Sequence, residues 1–276
     1  MKSISFLIIA FTVVFLEAFS EEVKQPALSP QVVLDTAQME VIYVHITEDP
    51  VLNDRRVDYE MLTIGDNFNH YGGYGDYQLD SISRVDPDFN CAPTFEDFRM
   101  LCNELEPLTL QMTTNKQAKE MNYYGKIFIN YYRYSEPIPE IEWTLEDETE
   151  EVMGYACRKA TTSWRGRDWT AWYSEIPVDA GPWKFQGLPG LILKLEDSKG
   201  EHMFEAVGTK NEVFPLGYRQ HLYCKTTREK YEEGLKDYKL NAGKMMLESG
   251  MVQPTSDSEM EFLKNRRMFY NPIELE

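Results

Sequence analysis

The apolar positions fall mostly in short β-rich runs, and only one long stretch near the C-terminus keeps helical spacing. Met39–Ile46 and Val57–Thr63 read as strands, the second alternating at period two. Lys126–Tyr134 reads as another. Gly154–Thr162 and Trp169–Tyr173 flank Arg165-Gly166-Arg167, which predicts a hairpin. A second hairpin is predicted from Leu191–Leu195, the turn Asp197–Gly200 and the return His202–Val207. Successive strands joined by tight turns imply an antiparallel sheet, because parallel pairs need long crossovers.

Thr226 or Thr227 predicts the cap of a helix over 228–247, with Tyr231, Leu235, Tyr238 and Met245 near helical spacing and Gly250 as its stop. Thr94 predicts a shorter helix over 95–105. Residues 66–75, with Tyr71-Gly72-Gly73-Tyr74-Gly75, read as loop, as do 81–93. Pro137-Ile138-Pro139 and the acidic run 146–151 read as a surface connection. No fixed-period repeat or linker divides the chain, so the expectation is one α+β domain.

Residues 1–20 change the picture of where this domain works. Lys2, the apolar run Ile4–Leu16 and the small residues Ala18 and Ser20 describe a secretory signal peptide. Cleavage after Ser20 would leave 276 − 20 = 256 residues, 21–276, as the mature domain. The rest of the chain has no apolar run near the roughly 20 residues a membrane helix needs, so the mature form is expected to have no membrane span. Cleavage removes Lys2 and Glu17 and leaves the net charge at −18. That charge argues against nucleic acid as a partner, whose affinity rests on Lys and Arg. With 42% hydrophobic and 13% aromatic residues, the chain is too apolar for disorder. Export places it in the periplasm or outside the cell.

Four cysteines, Cys91, Cys102, Cys157 and Cys224, in an exported chain favour disulfides, and three pairings are open. The most economical joins Cys91 to Cys102 and leaves Cys157 with Cys224. Buried free thiols are the alternative. No Cys or His pair has zinc-ligand spacing, and no metal or cofactor is expected. Asp86-Pro87-Asp88-Phe89-Asn90 imitates the start of a calcium loop, but Cys91 stands where its sharp turn needs Gly. His70 is the one histidine in site-like company, in the Tyr/Gly loop. There is no G-x-S-x-G elbow and no H-E-x-x-H, and no catalytic residue is assigned. Carboxylates for a hydrolase could be drawn from Asp168, Glu175 and Asp179, near the tryptophans.

The informative stretch runs from Arg165 to Lys194, and together with Trp164 just before it holds four of the five tryptophans: Trp164, Trp169, Trp172 and Trp183. Leu188-Pro189-Gly190 fits a type II turn, with Gly190 at the position of positive φ, and Gly187 permits a close turn. Trp172, Tyr173, Pro182, Trp183, Phe185, Gly187, Leu188, Pro189 and Gly190 form either an aromatic-lined ligand cleft or the closed mouth of the core.

Gly154-Tyr155-x-Cys157-x-Lys159-Ala160, Arg165-Gly166-Arg167, Trp172-Tyr173, Ile176-Pro177, Gly181-Pro182-Trp183-Lys184-Phe185 and Gly187–Ile192 resemble the GLPGLI family of exported Gram-negative bacterial proteins. Asn271-Pro272-Ile273-Glu274-Leu275 is similar to that family's usual ending. The resemblance carries no established activity, so it implies no catalytic residue. It implies a curved antiparallel sheet with flanking helices, similar to the fold of the periplasmic lipoprotein carriers. The resulting expectation is a non-enzymatic envelope binding protein, holding an apolar ligand or acyl chain on the concave sheet face. The alternatives are an envelope interaction or structural protein docking through residues 172–192, and a carboxylate-dependent hydrolase.

Overall fold

The structure is a computed structural model that describes residues 31–75, 110–250 and 253–276. Within them one thirteen-stranded sheet dominates. The first half comprises β1 (Gln31–Asp49), β2 (Asp54–Gly65), β3 (Phe68–Gly73), β4 (Gln111–Asn115), β5 (Glu120–Ile127) and β6 (Asn130–Pro137). Then follow β7 (Thr144–Val152), β8 (Tyr155–Trp164), β9 (Arg167–Ser174), β10 (Ile192–Asp197), β11 (His202–Lys210), β12 (Phe214–Arg219) and β13 (Tyr223–Lys225). Three short helices follow, α1 (Arg228–Leu240), α2 (Ala242–Glu248) and α3 (Asp257–Asn265). The sheet order is β13-β6-β5-β4-β3-β2-β1-β11-β10-β9-β8-β7, with β12 also on β1. Pairing is antiparallel except between β13 and β6. The architecture is thus sheet-dominated α+β.

β1 is the spine. Its first half pairs with β12, and its second half lies between β11 and β2. Register shifts at Val33/Asp35, Ala37/Met39 and Ile42/Tyr43 bend this one strand enough to serve both partners. Cross-strand neighbours share a face, so the core can be followed across the sheet. One buried row runs Tyr134, Tyr123, Met112, Tyr71, Leu62, Val41 from β6 to β1. Another continues through His45, Phe204, Leu195, Ala171, Ala160 from β1 to β8. These residues define the inner face.

The predicted β8–β9 hairpin forms, with Arg165 and Gly166 at φ 50° and 75° in its two-residue turn, both positive as a type I′ turn requires. Gly166 has a second reason to be glycine: a Cβ there would lie 2.9 Å from the Cβ of Leu275. The predicted β10–β11 hairpin also forms. Thr227 caps α1, its side chain accepting from the Lys230 N–H, but the helix expected over 228–247 breaks at Asn241 into α1 and α2.

Several expectations are corrected. Lys126–Tyr134 is two strands, because Phe128 adopts a φ of 57° and turns the chain. The Tyr/Gly segment is not loop but contains β3, paired on its two sides with β2 and β4. The acidic run 146–151 is part of the edge strand β7, which directs carboxylates at Lys159 and Lys194. Cys157 and Cys224 do not pair: both are free, Cys157 buried in β8 and Cys224 exposed in β13. Cys91, Cys102, the calcium-like run 86–90, the helix over 95–105 and the signal peptide lie outside the described residues.

Burial raises the Cys157 thiol above its ordinary pKa, and thiolates are the reactive form. A maleimide added to native protein is therefore expected to modify Cys224 and to spare Cys157 until denaturant is added. Peptide mapping checks this, and early modification of Cys157 would contradict its place in the core.

Candidate functional site

Residues 175–191 leave β9 and fold back over the inner face before entering β10. Backbone hydrogen bonds hold the return: Ser174 N–H to Leu191 O at 2.8 Å, Leu191 N–H to Ile176 O at 3.1 Å and Ile192 N–H to Ala180 O at 3.0 Å. Gly190 is required here by proximity. A Cβ on it would sit 1.8 Å from the Ser174 carbonyl oxygen, and its φ is not in the positive region a type II turn was expected to impose. Phe185, 1% exposed, packs against Trp169 at 4.7 Å and Trp164 at 5.0 Å between ring centroids. Leu188 and Leu191 are equally buried. Burying side chains of this size contributes roughly 1.5–3 kcal/mol each.

The same segment meets the C-terminal residues in a network of buried charge. Lys184 Nζ lies 2.5 Å from Glu136 Oε1 and 2.6 Å from Glu274 Oε1, and Trp183 Nε1 donates to Glu274 at 3.0 Å. Arg165 and Arg228 reach the other Glu274 oxygen at 3.4 and 3.5 Å. The Lys184 ammonium also faces the Tyr134 and Trp183 rings at 5.7 and 5.5 Å. On the far side of the turn, Arg167 is fully buried. It binds Asp197 and Glu201 at 2.7 Å each and donates to Asn271 Oδ1 and Pro272 O at 2.6 and 2.9 Å. Asp49 completes the clasp, accepting from Arg267 at 2.6 Å and from the Tyr270 N–H at 3.0 Å. Burial opposes ionisation of Asp49 and Glu201. Hydrogen bonds from Tyr270, Leu52 and Val51 to the first, and from Arg167 and Asn271 to the second, nevertheless hold both below the usual carboxylate range. Both ends of the recognised sequence pattern, Arg165-Gly166-Arg167 with Lys184 and Asn271–Leu275, thus bind each other.

A second polar cluster sits in the sheet. His45 Nδ1 is 2.9 Å from Glu60, and its Nε2 is 3.1 Å from His202 Nδ1 and 3.0 Å from Thr47 Oγ1. Tyr71 donates its hydroxyl to the other Glu60 oxygen. With Nδ1 turned to Glu60, the His45 ring presents Nε2 to both the Thr47 hydroxyl and the His202 ring. Burial, then His45 and Arg167, push His202 down to about 2. A Glu–His–His chain is competent for proton transfer in principle. Here its members are 1–7% exposed, and the observable role is to tie β1, β2, β3 and β11.

Between the sheet and residues 180–186 remains a cleft of about 290 Å³ including its open mouth, lined by Asn69, Met112, Met121, Gly181, Trp183 and Gln186 among others. Asn69 Oδ1 and Gln186 Nε2 are buried without a protein partner.

The sequence-derived ligand set is not brought to one surface. Tyr173 faces inward, whereas alternation along β9 puts Trp172 on the outer face beside Lys159 and Lys194. Pro182, Phe185, Leu188 and Gly190 are buried, Trp183 is half-buried, and only Gly187 and Pro189 are exposed. The carboxylates considered for hydrolysis are dispersed too. Asp168 accepts from the Ser163 hydroxyl, Asp179 from the Gly187 N–H, and Glu175 is exposed near Arg158. His70 lies within β3, and burial lowers it to about 4. No group of three or more His, Cys, Asp or Glu among the described residues has the geometry of a metal site. Sequence reasoning missed Lys184, Glu136 and Glu274 as partners; the Lys in Trp183-Lys184-Phe185 and the Glu in the C-terminal pattern were the available signals.

Residues 164–194 match the family model described as "Protein of unknown function (Porph_ging)". No curated protein matches the chain. Among solved structures the chain is similar to PNGF-II in the P21 space group, with a TM-score of 0.51 and 16% identity over 75% of this chain and 34% of that one. The C2 form of PNGF-II gives 0.50 and 15% over the same shares. The chain therefore spans about a third of the length of PNGF-II, and the likeness is one of fold.

Proposed function

We propose that this chain is an exported, non-enzymatic binding module of the cell envelope that works through its outer surface. The observation carrying this reading is the occupancy of the inner face: Phe185, Leu188 and Leu191 fill it at 0–2% exposure, and Ile273 and Glu274 close over it. An acyl chain lying on that face, as in a lipoprotein carrier, would require residues 176–191 to leave and to break the Lys184–Glu274 contacts. The GLPGLI-type hexapeptide, inside the matched stretch, then serves as an internal plug and does not rim a pocket. Export rests on the pattern of residues 1–20, with the periplasm or the cell exterior as destination.

Native mass spectrometry of protein purified from its own source tests this. The expected native mass is that of the polypeptide from residue 21, with no apolar adduct. A reproducible adduct of fatty-acyl mass, released on denaturation, would overturn the reading and restore the inner face as the binding site.

A further inference from the structure

We propose that the outer face of β5, β6 and β13 binds an anionic, carboxylate-bearing polysaccharide; this rests on the outer-surface reading and names its partner class. The register sets out the surface directly. One row across the three strands is Lys126, Tyr131, Tyr223, and the next is Tyr124, Arg133, Lys225. The following row is Asn122 and Ser135, joined by a hydrogen bond from the hydroxyl to the amide oxygen at 2.6 Å. Side chains two residues apart are about 7 Å apart along a strand, so the three rows span roughly 14 Å.

The rings are fixed before any partner arrives. His221 stacks on Tyr131 at 3.8 Å, Tyr218 stacks on Tyr124 at 4.3 Å, and Tyr223 stands edge-on to Tyr131 at 6.1 Å. Ordered tyrosines give amphipathic contact area at small entropic cost. Tyr131, Tyr218 and Tyr223 are half-buried, so part of each reaches solvent. Lys126, Arg133 and Lys225 form no ion pair among the described residues, while the Lys126 ammonium lies 5.3 Å over the Tyr131 ring. Burial, then Arg219 and Lys126, depress His221, as a locally positive surface requires. A net charge of −18 repels dense polyanions. A few spaced cations among rings, hydroxyls and amides suit a polymer with separated carboxylates and many hydroxyls, and a polyphosphate suits them poorly.

Affinity electrophoresis of the full chain through gels containing hyaluronate, whose carboxylates sit on alternate sugars, tests the assignment. Neutral dextran, single-stranded DNA and anionic phospholipid vesicles are run in parallel. Hyaluronate is expected to retard the protein, and added salt to weaken the effect. R133S/K225S is expected to lose about tenfold or more in affinity, equivalent to roughly 1.4 kcal/mol. Lys126→Ser, a single change for the case in which the double variant melts early, is expected to weaken binding in the same direction. Lys236→Ser on α1 is expected to bind unchanged. Absence of retardation, equal retardation of the surface variants, or preference for DNA or vesicles would each overturn it. The two proposals fail separately. An acyl adduct with intact hyaluronate binding sinks only the exclusive outer-surface reading. A clean native mass without polysaccharide binding sinks only this assignment.

Discussion

Lys184→Ala is expected to lower the unfolding free energy by about 3–5 kcal/mol, the range for removing one partner of a buried ion pair. Lys184, Arg165 and Arg228 supply three positive charges to Glu136, Glu232 and Glu274. The variant leaves three carboxylates facing two guanidiniums. Glu274, 3% exposed, retains Arg165 and Arg228 only at 3.4 and 3.5 Å. In a chain of this size the loss corresponds to roughly 10 °C in Tm. Chemical denaturation measures it, through a lowered midpoint at unchanged slope.

The partner variant separates a stranded charge from a lost contact. Lys184→Met keeps most of the stem that packs by Tyr134 and Trp183. Combined with Glu274→Gln, it should regain a large part of the stability lost by Lys184→Met alone, because the pair is then neutral on both sides. Additive losses in the double variant, or a loss below about 1 kcal/mol in Lys184→Ala, would show that the clasp does not hold the C-terminal residues in place.

Much of the sheet was legible because its hairpins obey local rules. Arg165-Gly166 supplies two positive φ values, and Asp197–Gly200 supplies a polar turn with Gly200 at φ 68°. Strands without such punctuation were lost. At 126–134 the turn falls on Phe128-Ile129, a pair with no turn chemistry, so two strands read as one. β7 was hidden by its acids, which mark a charged edge that resists pairing with another chain. The candidate site was legible as a set of residues but not in its meaning. Trp172 and Tyr173 are neighbours in sequence and opposites in space, and Lys184 meets Glu274 across ninety residues of chain. Pairing at that distance leaves no periodic trace. The aromatic and glycine content of 181–192 announced tight packing, and the packing partner is the chain itself.

Stability is expected to fall steeply as pH drops from 7 to 4, because two buried histidines stay neutral in the folded protein. His70 and His202 are held near 4 and 2, each chiefly by burial, against an ordinary value of 6.5. Below 6.5 the unfolded chain binds protons that the folded chain refuses, so acid favours unfolding. Each such group contributes about 1.4 kcal/mol per pH unit, giving roughly 3 kcal/mol per unit for the pair between pH 6 and 4. Below pH 4, His202 continues to act, and Asp35, Asp49 and Glu201 add to it. Their folded values are depressed, so the unfolded chain again takes the proton first. Glu232, raised by burial and by Glu274, works in the opposite direction, but it is partly exposed and single. Denaturant midpoints at pH 7, 6, 5 and 4 measure the slope. His202→Gln, which removes one titrating group, should reduce that slope by about half between pH 6 and 4. A flat profile across this window would mean that both imidazoles reach solvent or a carboxylate when they charge.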